Sequence, residues 1–152
     1  MKSENMTLFE DRIKTVTEKL KPWGRELWLS WTGRYAGKIL ELKKGHRYSL
    51  QYHRRKMETQ YVLSGLVEVT YGPLNKKTGM PGRLRTKRLK PGDKFHVPPY
   101  TVHRAKGLLK SRIFEVSTAD LDDVVKLHDD YGRSGSGNNE TLDRKLSRRI
   151  KK

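Results

Sequence analysis

The middle of the chain is a series of short runs in which apolar and polar positions alternate. In LVEVTYG, for example, Val67, Val69 and Tyr71 share one face while Glu68 and Thr70 share the other, which is the two-residue period of a half-buried strand. In chain order the runs are ELWLSW, YAGKILELK, RYSLQYH, ETQYVLS, LVEVTYG, RLRTKRL, KFHVP and RIFEVST. Turn signals separate them about every 8–12 residues, and this spacing of short strands predicts an all-β sandwich or closed barrel.

The segment before these runs has a different pattern, in which apolar positions recur at helical spacing. Leu8, Ile13, Val16 and Leu20 fall on one side of a helix drawn through residues 5–20. A proline and a glycine follow directly and cannot continue the hydrogen-bond ladder of a helix. The pattern therefore predicts a short N-terminal helix.

After the last strand run the composition changes twice. Residues 119–133 are acidic and are expected to form a strap against the barrel, anchored by Leu121, Val124, Val125 and Leu127. Residues 134–139 are SGSGNN, a flexible linker by composition. We therefore divide the chain into an N-terminal helical arm (1–21), a barrel domain (22–133) and a flexible basic tail (134–152).

The charge is unusual for a chain of 152 residues, because the formal net charge is +17 at pH 7. Two basic clusters stand out: Lys76, Lys77, Arg83, Arg85, Lys87, Arg88, Lys90 and Lys94 in the first, and Arg144, Lys145, Arg148, Arg149, Lys151 and Lys152 in the second. Such clusters raise the alternative of a nucleic-acid partner. Neither cluster alternates with the aromatic residues that stack on bases, so a solvated face and a basic tail are the favoured interpretation.

The composition excludes several classes of site and protein. The sequence has no cysteine, so a metal ion would need nitrogen and oxygen ligands, and a disulfide or cysteine nucleophile is excluded. No apolar run approaches the roughly 20 residues that span a bilayer, and MKSENMTLFE lacks the apolar core of a signal peptide. We expect a cytoplasmic soluble protein with no membrane partner.

Four side chains form a candidate metal site: Gln51, His53, Glu58 and His103. Gln51 and His53 are two apart on one predicted strand and therefore point to the same side. Glu58 begins the next predicted strand, and His103 would come from the later run PGDKFHVPPYTVH. An amide oxygen, two imidazoles and a carboxylate suit zinc, manganese, iron, cobalt or nickel, and coincidental surface histidines are the alternative.

The sequence around these residues resembles the two motifs of the cupin superfamily. Residues 45–65, GHRYSLQYHRRKMETQYVLSG, are similar to the first motif, and residues 91–103, PGDKFHVPPYTVH, to the second. Within the superfamily the chain resembles the type II mannose-6-phosphate isomerase domain, which forms the C-terminal part of bifunctional mannose-1-phosphate guanylyltransferases in many bacteria. This likeness is carried by PWG (22–24), SLQYH (49–53) with Glu58, PPYTVHR (98–104) and DYGR (130–133).

The resemblance implies a cupin (RmlC-like) jelly-roll barrel and a homodimer. It assigns Gln51, His53, Glu58 and His103 as ligands of one divalent metal ion, with zinc first and manganese, iron, cobalt or nickel as alternatives. The activity it implies is the interconversion of mannose 6-phosphate and fructose 6-phosphate through an enediolate, stabilised by a metal ion that polarises the oxygens at C1 and C2. The expected small-molecule partner is therefore a sugar phosphate.

Two positions depart from the family pattern. Lys56 stands where the family usually has arginine, and lysine lacks the planar fork that binds a phosphate or hydroxyl group bidentately. Tyr100 stands where the family prefers glycine, and we expect it to contact substrate and narrow the pocket. These departures support a second hypothesis, a non-catalytic cupin that binds a sugar or sugar nucleotide.

The remaining candidate residues follow from charge and strand parity. Lys38, Lys56 and Arg133 are candidates for holding the phosphate group, and Lys56 is also a catalytic candidate. Lys38 has the parity of two leucines on its strand and is a candidate on that ground, although a surface lysine is the favoured interpretation. Glu115 or a hydroxide on the metal is the candidate base, although Phe114 and Val116 on the other face of that strand compete to point inward.

Overall fold

A computed structural model describes residues 13–149 and shows thirteen β-strands and one α-helix within that range. The elements are β1 (Thr17–Lys21), β2 (Gly24–Trp31), β3 (Ala36–Leu42), β4 (Leu50–Tyr52), β5 (Glu58–Ser64), β6 (Val67–Asn75), β7 (Met80–Pro81), β8 (Arg85–Leu89), β9 (Lys94–Val97), β10 (Thr101–Gly107), β11 (Ser111–Ser117), β12 (Val125–His128), β13 (Gly135–Ser136) and α1 (Glu140–Arg149).

The strands form two antiparallel sheets around one core. The first sheet has the order β1-β2-β3-β11-β5-β9, and the second has the order β13-β12-β4-β10-β6-β7, with β8 also paired to β6. Side chains from both sheets meet in the core: Trp23, Leu40, Leu42, Tyr48, Val62, Val67, Val69, Leu89, Ala105 and Ile113. The predicted all-β barrel is confirmed.

Strand alternation places charged side chains inside this barrel. Along β11, Ile113 and Glu115 are buried, whereas Val116 is 46% exposed. On β3, Lys38 is buried together with Leu40. Glu115 and Lys38 therefore point into the barrel. This decides the orientation that the sequence left open for Glu115, and for Lys38 the favoured surface position is wrong. Burying a charge is costly unless it is paired, so both side chains need partners of opposite charge inside the barrel.

The predicted N-terminal helix is wrong for residues 17–20, which belong to β1. This strand pairs with β2 along its whole length, so that Thr17 lies opposite Trp28 and Lys21 opposite Gly24. The pairing satisfies the backbone of the segment, and this tertiary contact outweighs the helical spacing of a few apolar residues. Residues 5–12 of the predicted helix lie outside the described residues.

The predicted tail, expected to be poorly ordered or loosely helical, forms the helix α1 at residues 140–149. Asn139 caps this helix, because its side-chain oxygen accepts a hydrogen bond from the backbone N–H of Leu142 at 3.0 Å. Acidic residues occupy the first turn, and Arg148 and Arg149 occupy the last, which matches the helix dipole. In the part of the chain that the structure describes, no helix is long and apolar enough to cross a membrane.

All eight predicted strands are present, and the structure adds five. The most important addition is β10, which lies between β4 and β6 in the second sheet and carries His103. Two prolines directly before it favoured a loop in the sequence pattern. On β8 the residues Arg85, Lys87 and Arg88 are exposed to solvent, as their pattern predicted.

Candidate metal centre

Three buried side chains, His53, Glu58 and His103, converge inside the barrel. Each has a donor atom within 4.8 Å of a donor atom of the other two. Glu58 Oε1 lies 2.9 Å from His103 Nε2 and 3.6 Å from His53 Nε2. Two imidazoles and a carboxylate are a common ligand set for divalent transition metals.

The strands explain why residues so far apart in sequence meet here. His103 on β10 lies directly opposite Gln51 on β4. His53 directly follows β4, and Glu58 is the first residue of β5. The structure therefore brings together the three predicted histidine and glutamate ligands.

The two imidazoles present the nitrogen that a metal ion needs. His53 Nδ1 donates a hydrogen bond to the carbonyl oxygen of Asp123, and His103 Nδ1 donates one to that of Thr101. Because a carbonyl can only accept, each Nδ1 carries the proton and each Nε2 keeps a lone pair. Among the described residues neither Nε2 has a hydrogen-bond partner, since the short contact with Glu58 is not aligned as a hydrogen bond. Buried polar atoms are rarely left unpaired, so these residues fit a divalent metal ion.

Gln51, the fourth predicted ligand, lines the cavity next to His53. Its side-chain oxygen accepts a hydrogen bond from the Ser49 hydroxyl at 2.7 Å. An amide oxygen has two lone pairs, so one remains for a metal ion. The role of Gln51 as a ligand stays a prediction, and its position in the cavity supports it.

Lys56 is buried between two carboxylates. Its Nζ lies 2.8 Å from Glu58 Oε2 and 3.2 Å from Glu115 Oε2. The amide of Gln60 donates to the other oxygens of the same two carboxylates, at 3.2 Å to Glu58 and 3.3 Å to Glu115. Lys56 and Gln60 therefore connect the candidate metal ligand Glu58 to the candidate base Glu115.

These contacts drive the pKa values of the two glutamates apart. Burial raises the pKa of Glu115, and the negative charge of Glu58 raises it further against the opposing effect of Lys56. Burial also acts to raise the pKa of Glu58, but the charge of Lys56 holds it well below its ordinary value. Two nearby carboxyl groups with separated pKa values can serve as an ionised ligand and a proton carrier.

A second buried ion pair lies next to Glu115. Lys38 Nζ is 3.5 Å from Glu115 Oε2 and 3.3 Å from Glu26 Oε1. Glu26 also accepts a hydrogen bond from the Trp28 indole at 2.9 Å. Burial acts to raise the pKa of Glu26, yet the charges of Lys38 and Lys21 lower it to about 2. Alternating charges therefore extend from the metal centre to β2.

A small cavity lies beside these charges. Its free volume is about 50 Å³, which is room for a few water molecules and far below the roughly 300–1,000 Å³ of pockets for drug-sized ligands. Five of its lining side chains are cationic and two are carboxylates: Lys21, Lys38, Lys56, Lys126 and Arg133, with Glu26 and Glu115. This excess of cations suits an anionic ligand.

Most of the chain, residues 10–129, matches the protein family described as mannose-6-phosphate isomerase C-terminal. The chain belongs to this family. The triad of His53, Glu58 and His103 lies inside the matched range, whereas α1 lies beyond its end. The resemblance stated from the sequence motifs is thereby confirmed.

One relative of this chain is the alginate biosynthesis protein AlgA of Pseudomonas aeruginosa. It is 30% identical over 122 residues, which make up 77% of this chain and 23% of AlgA. The chain therefore spans about a quarter of the length of this relative.

Solved structures share the fold. The mannose 6-phosphate isomerase from Bacillus subtilis matches with a TM-score of 0.65 and 17% identity, covering 82% of this chain and 64% of that one. An RmlC-like cupin from Shewanella frigidimarina matches with a TM-score of 0.55 and 18% identity, covering 68% and 84%. At such low identities the likeness shows the fold alone, and it confirms the predicted cupin barrel.

Three of the four predicted substrate-binding residues line the cavity of this isomerase-family domain: Lys38, Lys56 and Arg133. Tyr100 is not among the lining side chains. Its ring stacks on Tyr52 with centroids 6.2 Å apart, and Lys76 Nζ lies 4.2 Å from its centroid. Its backbone φ is 59°, the one positive φ of a non-glycine residue within residues 13–149. Glycine adopts this conformation most easily, which explains the preference for glycine that the resemblance implies here.

Asp123 is a supporting residue that no sequence pattern marked. Its carbonyl accepts the hydrogen bond of His53, and its carboxylate accepts the backbone N–H groups of Arg54, Arg55 and Lys56 at 3.1, 2.5 and 2.8 Å. The strap therefore holds the turn that carries a metal ligand. This contact joins residues 70 positions apart. Asp123 lies in a run of several acidic residues, so the sequence alone could not single it out as the partner of His53.

Gln60, Glu26 and Lys21 are three further cavity residues that were not predicted. Gln60 could have been found, because it shares the strand parity of Glu58 and buried Val62. A polar residue at an inward position of a strand is a usable signal. Lys21 was hidden by the mistaken helix.

Proposed function

We propose that this chain is a metal-dependent sugar-phosphate isomerase that interconverts mannose 6-phosphate and fructose 6-phosphate. The observation that carries the proposal is the pair of buried Nε2 atoms of His53 and His103, both facing Glu58 and both without a hydrogen-bond partner in the described residues. Membership of the mannose-6-phosphate isomerase C-terminal family supports the same reaction.

His53, Glu58 and His103 would hold the metal ion, and Gln51 is the fourth candidate ligand. A divalent metal ion bound there would act as a Lewis acid that polarises the oxygens at C1 and C2, where the reaction interchanges the carbonyl and hydroxyl groups.

The charges of the cavity favour a phosphorylated sugar over a neutral one. Five cationic side chains line it against two carboxylates. Glu58, Asp129 and Asp143 pair with three of these cations from outside the lining, so the positive charge open to a ligand comes from a metal ion and from any cation whose carboxylate partner is displaced. A phosphate dianion offsets it. Lys38, Lys126 and Arg133 are candidates for contacts with the phosphate group because each lines the cavity.

Isomerisation moves one proton between two adjacent carbons, and Glu115 is the candidate for carrying it. Its pKa is raised by burial and by Glu58, and a carboxyl group with a raised pKa is better suited to accepting a proton and returning it. Lys56 stays charged, because Glu115 and Glu58 raise its pKa well above the ordinary value despite burial. Lys56 therefore orients Glu115 and stabilises negative charge instead of acting as the base.

The second candidate function is binding of a sugar or sugar nucleotide without conversion. The engagement of Lys56 by Glu58 and Glu115 favours it, because this lysine stands where the family usually has arginine and lacks the planar fork for a bidentate contact. The two functions differ in one measurement, which is turnover under conditions where the ligand binds.

The deciding experiment is a coupled assay for fructose 6-phosphate formed from mannose 6-phosphate, run after reconstitution with zinc, manganese or cobalt. We expect turnover that disappears in Glu115→Gln, with a loss of roughly 100-fold or more in kcat, while the metal content stays unchanged. His96→Ala is the matched histidine control, because His96 is exposed and bonds to Thr59 on the outside of the sheet. A fully metal-loaded protein that binds fructose 6-phosphate without turning it over would reject the isomerase and support the second candidate.

A further inference from the structure

The carboxylate of Asp143, on helix α1, is buried between two cations of the barrel. Its Oδ2 lies 2.8 Å from Lys21 Nζ, and its Oδ1 lies 3.1 Å from Arg133 Nη1. Only 2% of Asp143 is exposed to solvent. One carboxylate thus uses both oxygens to bridge two positive groups.

The two cations come from different sheets and face the same cavity. Lys21 ends β1 at the edge of the first sheet, and Arg133 lies between β12 and β13 at the edge of the second. Both line the cavity of the metal centre. Through these two ion pairs, Asp143 bridges the edges of the two sheets.

Arg133 is held in place independently of Asp143. Its Nε and Nη2 donate to the two oxygens of Asp129 at 3.0 and 2.8 Å. This bidentate contact fixes the guanidinium plane and leaves Nη1 for Asp143. Arg133 would therefore keep its geometry if Asp143 moved away.

Helix α1 has little apolar anchorage. Asp143 and Ser147 are its buried residues, while Leu142 and Leu146 are only half-buried. Its other ion pair with β1 joins Lys19 and Glu140, and exposed pairs of this kind contribute little. The family match also ends before α1 begins, so the isomerase-family barrel is defined without this helix.

We propose that Lys21 and Arg133 form a subsite for the phosphate group of the substrate, and that Asp143 occupies it in the free protein. A phosphate monoester, like a carboxylate, offers two anionic oxygens to two donors, and an arginine with a lysine is a typical phosphate-binding pair. Binding of the phosphate displaces Asp143 and with it α1, which also opens a cavity that is otherwise too small for a hexose phosphate. The choice of a sugar phosphate rests on the proposed function, whereas the subsite itself needs only a phosphate group.

Asp143→Asn tests the subsite, because it removes the competing charge and keeps the size of the side chain. The measurement is calorimetric titration of the full chain with inorganic phosphate and with fructose 6-phosphate, in sodium chloride of matched ionic strength. We expect this variant to bind both at least about tenfold more tightly, because the Asp143 carboxylate no longer occupies the subsite and competes with the phosphate group. Glu140→Gln is the matched control. It removes a carboxylate of the same helix whose ion-pair partners within residues 13–149 are Lys19 and Arg144, and it is expected to bind as the wild type does. Adding Lys21→Met to Asp143→Asn is expected to abolish the gain.

The opposite outcome identifies Asp143 as a structural clasp. Unchanged or weaker phosphate binding by a folded Asp143→Asn protein would overturn the proposal. If that variant does not fold, hydrogen exchange in the wild type decides: phosphate is expected to accelerate exchange of the amides of residues 140–149 relative to chloride, and equal or slower exchange would reject displacement.

The two proposals can fail separately. Tighter phosphate binding by Asp143→Asn without any isomerisation would leave the subsite in place and reject the isomerase. Metal-dependent isomerisation with no effect of Asp143→Asn on phosphate binding would do the reverse.

Discussion

Lys56 Nζ lies 2.8 Å from Glu58 Oε2, and the other oxygen of the same carboxylate faces His103 Nε2 at 2.9 Å. One glutamate therefore connects a buried lysine to the metal centre. The position where the family usually has arginine is here filled by a lysine that is itself fully enclosed.

Replacing Lys56 by methionine is expected to lower the free energy of unfolding by about 3–5 kcal/mol, because it leaves the buried carboxylates of Glu58 and Glu115 without their shared cation. Urea unfolding of the metal-free protein measures this loss. The double variant Lys56→Met/Glu115→Gln is expected to recover part of it, since one of the two facing charges is gone. Lys90→Met, at an exposed lysine whose nearest carboxylate is 3.9 Å away, serves as the control. A loss below about 1 kcal/mol in Lys56→Met would contradict the buried pair.

Loss of either histidine of the triad is expected to remove the metal ion. Elemental analysis of purified protein is predicted to give about one divalent metal per chain for the wild type and for His96→Ala, and less than a tenth of that for His53→Ala or His103→Ala. Chelation of the wild-type metal is expected to lower Tm, because a ligand that binds only the native state stabilises it. Full metal content in His53→Ala would remove that residue from the ligand set.

The pKa of Glu26 predicts an acid-dependent part of the stability. Lys38 and Lys21, acting against burial, lower this pKa from 4.5 to about 2 in the folded protein. Because the folded pKa is below the unfolded one, the stabilisation is fully present above about pH 5 and is lost as the pH falls towards 2. The difference in unfolding free energy between wild type and Glu26→Gln is therefore expected to shrink by roughly 3 kcal/mol between pH 6 and pH 2. Parallel pH profiles of the two metal-free proteins would refute this assignment.

Tyr100 combines a positive φ of 59° with a backbone hydrogen bond, in which its N–H donates to the carbonyl of His53 at 2.8 Å. Tyr100→Gly and Tyr100→Val both lose the ring contacts, but only valine is strained at this φ. We expect the valine variant to be at least about 1 kcal/mol less stable than the glycine variant in urea unfolding. Equal stability of the two variants would show that the turn relaxes around residue 100.

Strand alternation and turn spacing were sufficient to predict the barrel, whereas the convergence of His53, Glu58 and His103 was expected from the resemblance to the cupin motifs, because no local pattern brings His103 to the other two. Strand alternation placed Gln51 and His53 on one face, and it narrowed the orientation of Glu115 to two choices that the structure then decided. A homodimer and a nucleic-acid surface stay predictions, since no contact within the described residues bears on either.

The features that sequence patterns did not predict depend on contacts between distant segments. Residues 17–21 become a strand because β2 is there to pair with them, and Lys21 meets Asp143 across 122 positions of sequence. β10 was hidden by the two prolines before it, although its backbone is fully paired to β6 from Thr101 to Gly107. Local propensity carries no information on such partners.

Asp123 ties the strap to the metal centre, since its carbonyl accepts from His53 and its carboxylate accepts from the turn that follows. Two equilibria that share a residue are coupled reciprocally. Metal binding that stabilises the native position of His53 therefore also stabilises residues 119–124 against local unfolding, because Asp123 is bonded to His53. Limited proteolysis at this segment therefore reports metal occupancy indirectly. We expect a protease to cut the metal-loaded protein more slowly there than the chelated protein.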